Sequence, residues 1–141
     1  MAKTTATDRR QAPRYALNTD VFLVFRPDFS KLGKLKDVSN GGVAVEYTVL
    51  GEHEKIADAD VDIFTSGSDY LMLRRVPCTV VYDTKIEKGP LSGIETRRCG
   101  LRFEQLSDQQ GEQLKVLLNN YVSHRLPVQY PAGGPAASSL Q

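Results

Sequence analysis

Between Thr19 and Glu104 the apolar residues recur with a period of two or in short unbroken runs; beyond Ser107 the period lengthens to that of a helix. Thr19–Arg26 is a continuous β-favouring run that reads as a buried strand, ended by Pro27 and Asp28. Lys31–Val38 reads as a second strand, although its apolar alternation is weak, and Ser39-Asn40-Gly41-Gly42 is a turn signal. From Gly42 to Tyr47 the alternation is clean, with Val43, Val45 and Tyr47 on one face. Val61 and Ile63 face in while Asp60 and Asp62 face out, which gives another half-buried strand. Tyr70–Asp83 is a long β-type segment in which Pro77 implies an edge position or a bulge. Thr84–Thr96 contains Lys88-Gly-Pro and Ser92-Gly93 and reads as a long hairpin loop. Arg98–Glu104 closes the series, with Cys99, Leu101 and Phe103 alternating inward.

Ser107, with Gln110 three residues on, is a capping box, and Leu114, Leu117, Leu118, Tyr121 and Val122 follow at helical spacing. This predicts a helix over about 107–123 whose stripe packs on one end of the sheet. Six or so strands with frequent turns and one C-terminal helix predict an all-β fold with that helix, a closed or nearly closed antiparallel barrel. Residues 1–8 are small and polar, and 125–141 are rich in Pro, Gly, Ala and Ser; both read as disordered tails around one domain at 9–124. Asp8–Tyr15 is charged and carries Pro13, so it reads as an extended arm leading into the first strand.

The formal charge is only +1, but it is unevenly spread. Residues 1–36 hold eight Lys/Arg against three Asp/Glu, a net of +5, and residues 37–70 hold one against eight, a net of −7. A basic arm beside an acidic middle suggests a local anion site rather than a face for duplex nucleic acid. Cys78 and Cys99 sit in apolar strand-like runs and read as buried free thiols, and His53 and His124 lie far apart, so a structural zinc site is not expected. Asp58-x-Asp60-x-Asp62 begins like a calcium loop but has Ile63 where glycine is required. No nucleophile or general-base arrangement stands out, so catalysis and cofactors are not expected. The start of the chain has no apolar signal core, and no run approaches the length of a membrane span; the chain reads as cytoplasmic, without membrane insertion.

Two short signatures remain. Arg10-Gln-Ala-Pro-Arg14, preceded by Arg9, offers guanidinium forks suited to phosphate oxygens, guanine edges and stacking on guanine faces. On its own it is a solvated basic arm with Asp8 as its nearby acid. Asp37-Val-Ser39-Asn-Gly41-Gly42 is on its own a hairpin turn, in which Asp and Ser cap and glycine relaxes the backbone. A carboxylate there can also accept from guanine N1–H and N2–H₂. Asp37 and Ser39 are therefore candidate ligand contacts, and Gly41 and Gly42 shape the turn and leave room for a base.

In this order, each opening a strand, the two signatures resemble those of the PilZ domain. Gly42-Val-Ala-Val-Glu46 and Cys99-Gly-Leu-Arg-Phe103 extend the likeness to roughly residues 9–122. The resemblance implies a six-stranded barrel that serves bacteria as a receptor for the second messenger cyclic di-GMP. It implies that Arg10 and Arg14 hold phosphates and a guanine. It also implies that Arg9 influences whether one ligand or an intercalated pair is bound, and favours the pair. Arg98 and Arg102 point opposite to Cys99 and read as surface arginines, though either would reach a second ligand molecule. The expected function is a non-catalytic receptor whose arm folds over ligand and makes a surface for a downstream protein. The alternative is a ligand-independent adaptor acting through its helix. A barrel for single-stranded nucleic acid would need exposed aromatics, and most Phe and Tyr positions read as inward.

Overall fold

The computed structural model describes residues 12–26, 31–50, 56–66, 70–86 and 94–127. Its strands are β1 (Tyr15–Leu17), β2 (Val21–Phe25), β3 (Leu32–Val38), β4 (Gly42–Leu50), β5 (Ala59–Thr65), β6 (Met72–Lys85), β7 (Ile94–Phe103) and β8 (Val122–Arg125), with one helix, α1 (Asp108–Asn120). Six strands pair in the order β2-β5-β6-β7-β4-β3, and β3 pairs back onto β2, so the antiparallel barrel is closed. Closure removes the free edges that an open sheet of this size would expose.

The alternation seen in the sequence fills the barrel. Val21, Leu23 and Phe25, Val43, Val45 and Tyr47, Val61 and Ile63, and Cys99, Leu101 and Phe103 are all buried in one core. The two cysteines are free and buried, and burial, the first cause, pushes both thiols up to about 12. Not every aromatic faces in: Phe22 and Phe64 are cross-strand neighbours on the outside, with ring centroids 5.8 Å apart. Leu114 and Leu117 of α1 join the core against β6. Ser107 Oγ accepts from Gln110 N at 3.1 Å and Gln110 Oε1 accepts from Ser107 N at 2.9 Å, the predicted capping box.

β1 and β8 lie outside the barrel proper. β1 adds to the same edge of β3 that β2 uses further along, and β8 adds to β1. The helix therefore ends at Asn120 rather than near 123, and Val122–Arg125 is a strand where the end of the helix and the start of a tail were expected. The reason is tertiary: β1 presents an unpaired edge, and the chain leaving α1 satisfies its own backbone groups there.

Three bulges within the barrel strands shift the side-chain phase, at Lys36 in β3, near Arg74–Arg75 in β6 and at Val81 in β6. Arg75 has a φ of 52°, a left-handed conformation rare outside glycine. It is held by its N–H donating to Asp62 Oδ1 at 2.8 Å and by Gln110 Nε2 donating to its carbonyl at 3.1 Å. Asp62, expected on a solvated face, is 5% exposed because Arg26 covers it, with Arg26 Nε 2.9 Å from Oδ1. Burial alone would raise the Asp62 pKa, but the bonds from Arg26 and from the Arg75 backbone outweigh it and hold the carboxyl below its ordinary value. With Asp62 engaged in this way, the Asp58-x-Asp60-x-Asp62 run is not a calcium loop. Among the described residues no group of three metal-ligating side chains occurs, and no helix is long and apolar enough to cross a membrane.

Candidate functional site

Two of those bulges build one cleft. In β3, Leu35 pairs with Val45 and faces in; without a bulge Asp37 would follow it into the core. The extra residue Lys36 reverses the phase, so Asp37 pairs with Ala44 and turns outward while Val38 returns to the interior. In β6, Val80 pairs with inward Leu101, and the bulge at Val81 turns Tyr82 out opposite Gly100. The registers then place Asp37, Ala44, Gly100 and Tyr82 in one row across β3, β4, β7 and β6 on the barrel's outer face.

The middle of that row is low, with a polar wall at one end and an aromatic wall at the other. A Cβ on Gly100 would lie 2.2 Å from the Tyr82 ring, so the ring leans over the glycine. The result is a cleft of about 190 Å³ that Arg14, Asp37, Ser39, Gly42, Tyr82 and Arg102 help to line. Gly41, Val43, Val81, Gly100 and Leu101 complete its wall.

Arg14 sits at the entrance to β1, whose pairing with β3 puts Ala16 opposite Asp37. Its carbonyl accepts from Leu126 N at 2.7 Å, which ties it to the end of β8. Its guanidinium grips Asp37: Nη2 lies 3.2 Å from Oδ1 and 3.1 Å from Oδ2, and Nε lies 3.3 Å from Oδ1. The carboxylate is 5% exposed and the arginine 46% exposed. Arg14 thus has a buried acidic partner on the neighbouring strand β3, where the sequence offered only Asp8. The pair closes over the carboxylate yet remains open to solvent on its arginine side.

The turn after β3 is held by its own groups. Ser39 N donates to the Gly42 carbonyl at 2.9 Å, and Ser39 Oγ accepts from Gly41 N at 3.1 Å. Gly42 is required by close approach rather than by an unusual φ, because a Cβ there would lie 2.1 Å from the Leu101 carbonyl. Arg14, Asp37, Ser39, Gly41 and Gly42 therefore meet at one place, the grouping that the family resemblance implied; Arg9 and Arg10 lie outside the described residues.

Tyr82 and Gly100 were not singled out as site residues in the sequence. Extrapolating the inward phase of Cys78 and Val80 puts Tyr82 in the core, and only the bulge overrules that. A tyrosine where the apolar alternation would place it inside, opposite a glycine three residues before the Phe103 strand end, carries no signal without the register.

Chemically, the cleft offers a carboxylate with two acceptor oxygens, half-exposed arginines and an aromatic face, a set suited to a planar, donor-edged, anionic ligand. A profile of the PilZ domain matches residues 8–120. No curated protein sequence matches the chain. Among solved structures, the fold is similar to the "PilZ domain with c-di-GMP of YcgR from Escherichia coli", at a TM-score of 0.57 and 17% identity over 79% of this chain and 89% of that one. It is also similar to "MrkH, A novel c-di-GMP dependence transcription regulatory factor", at a TM-score of 0.53 and 17% identity over 79% of this chain and 50% of that one. At this identity the structural likeness speaks for the fold. The profile match runs through both signatures and all but the ends of the chain, so this protein is a member of the PilZ domain family.

Proposed function

We propose that this chain is a cytoplasmic bacterial receptor for cyclic di-GMP that acts without catalysis and without a cofactor. The observation that carries the reading is the bidentate Arg14–Asp37 pair at the mouth of a cleft whose far wall is Tyr82. Guanine presents N1–H and N2–H₂ side by side, and these match the two oxygens of Asp37 that Arg14 now occupies. On binding, the base takes the carboxylate and lies against the Tyr82 ring, and Arg14 turns its fork to a phosphate or to the guanine O6/N7 edge. Ser39 and the two glycines keep the turn in shape beneath the base.

At about 190 Å³ the cleft is smaller than the roughly 300–1,000 Å³ that encloses a drug-sized ligand. A second wall is needed, and the arm carrying Arg9 and Arg10 supplies it by folding over the ligand. Arg10 then contacts phosphate, and Arg9 stacks on and balances the charge of a second, intercalated molecule. Ordering the arm costs roughly 1–2 kcal/mol per fixed backbone residue, so several charge-assisted contacts must form together. Arm and ligand make the new surface that a downstream protein reads.

Calorimetry tests this directly. Arg10→Ala and Arg14→Ala should each abolish cyclic di-GMP binding while the barrel stays folded; retained micromolar binding in either rules out the clasp. A stoichiometry of two ligands per parent chain supports the intercalated pair, and one excludes it.

A further inference from the structure

Arg98 is one register step from the floor of the cleft, and among the described residues its side chain makes only one long ion pair. It lies on β7 two residues before Gly100, on the same outer face, opposite Glu46 of β4 and Thr84 of β6. Its Nη2 is 3.8 Å from Asp37 Oδ2, its sole polar contact among the described residues, and its Nε is buried without a hydrogen-bond partner. Glu46 makes no ion pair with it. Asp37 compensates Arg98 only weakly, because Arg14 holds both of its oxygens at 3.1–3.3 Å while Arg98 stands at 3.8 Å. Arg102, on the other side of Gly100, differs in having Glu104 at 3.5 Å. One carboxylate therefore faces two guanidiniums, and a buried donor stands unused, which is costly unless something else accepts from it.

We propose that Arg98 is a further ligand contact, donating to a phosphate oxygen of the nucleotide whose base is read by Asp37. This rests on the receptor reading above. When a guanine edge occupies Asp37, the carboxylate is lost to both arginines as a hydrogen-bond acceptor, and an anionic group is what two released guanidiniums can share. Arg14 comes to it from the arm and Arg98 from the barrel wall. Because Arg98 is carried by a barrel strand, its position does not wait for the arm to fold. It is the preorganised half of a two-arginine clamp.

The test is calorimetric titration of cyclic di-GMP into the full chain, Arg98→Ala and Arg98→Lys, repeated over a roughly tenfold range of salt. Arg98 is 39% exposed and its one ion pair is long, so Arg98→Ala should melt with the parent. Its affinity should fall about 10- to 100-fold, the size of one charged hydrogen bond, and should depend less steeply on salt than the parent's. Arg98→Lys should recover part of the affinity and the steeper salt dependence. Parental affinity in Arg98→Ala would overturn the contact and leave the receptor reading standing. Weakened affinity with an unchanged salt dependence would place Arg98 behind Asp37 instead of on the ligand, and would also overturn it. A parent chain that does not bind cyclic di-GMP would overturn the receptor reading and this contact together.

Discussion

Two arginine–aspartate pairs sit on the outside of the same barrel and do opposite things. Asp37 and Asp62 are equally buried, at 4% and 5%, and each is covered by an arginine from a neighbouring segment. Around Asp62 the donors come from the scaffold and meet on Oδ1: Arg26 Nε at 2.9 Å, with an arginine side chain only 14% exposed, and Arg75 N at 2.8 Å. That second bond holds the left-handed residue of a β6 bulge, so the pair is part of the fold. Around Asp37 every hydrogen bond comes from one half-exposed side chain at 3.1–3.3 Å, with no backbone donor among them. An ion pair anchored by a backbone donor and a buried arginine fixes a strand; one hydrogen-bonded only by a half-exposed side chain can exchange that side chain for a ligand.

Replacing each aspartate separates these roles, and the effects should be large. Asp37→Ala should lose at least 100-fold in cyclic di-GMP affinity, because the cleft lining holds no other carboxylate for the base edge. It should cost about 1 kcal/mol or less in stability, since the arginine left behind is half solvated. Asp62→Ala removes the acceptor that Arg26 and the Arg75 N–H share and should cost about 3 kcal/mol in urea unfolding. Binding measured on whatever remains folded should be parental. If Asp37→Ala unfolds the barrel as readily as Asp62→Ala, the contrast between an exchangeable and a structural pair is wrong.

The same contrast explains what could be read from the sequence. The six barrel strands were legible because their alternation reports burial directly, as in Val43, Val45 and Tyr47. Tyr15–Leu17 and Val122–Arg125 were not, because no residue of either is fully buried and each is a short strand placed by pairing along an edge that the fold provides. Arg14, Asp37, Ser39, Gly41 and Gly42 were legible as motif spacing, although nothing local says that Arg14 reaches Asp37 across 23 residues. Tyr82 was hidden by the bulge at Val81. The weak alternation of Lys31–Val38 did carry information: it is the Lys36 bulge that aims Asp37 out of the core.

A smaller effect distinguishes two glycines of the site. A Cβ at Gly42 meets the Leu101 backbone carbonyl at 2.1 Å, and backbone in a closed barrel cannot step aside. Gly42→Ala should therefore cost about 1–3 kcal/mol in stability, as overpacking does. A Cβ at Gly100 meets the Tyr82 ring at 2.2 Å, but that ring is 36% exposed and can swing outward. Gly100→Ala should stay within about 1 kcal/mol of the parent and weaken cyclic di-GMP binding about tenfold, by moving the aromatic wall off the row. Equal stability losses in the two variants would show that Tyr82 is fixed, and would remove it as an adaptable platform for the base.

The smallest expected effect is a pH dependence that belongs to the structural pair. The Asp62 carboxyl titrates lower in the folded chain than in the unfolded one, so on acidification the unfolded state takes up the proton first. Its contribution to stability is complete above the unfolded carboxyl value of about 4 and fades as the pH falls through the lower folded value. Urea midpoints of the parent should accordingly drop from neutral pH to about pH 3. Asp62→Asn should start lower and fall less over the same interval, because the group that responds is gone. A parallel fall in parent and variant would mean that Arg26 and the Arg75 N–H do not favour the charged form of Asp62. The short bonds at the β6 bulge would then be packing rather than electrostatics, and the two pairs would differ only in how much solvent reaches their arginines.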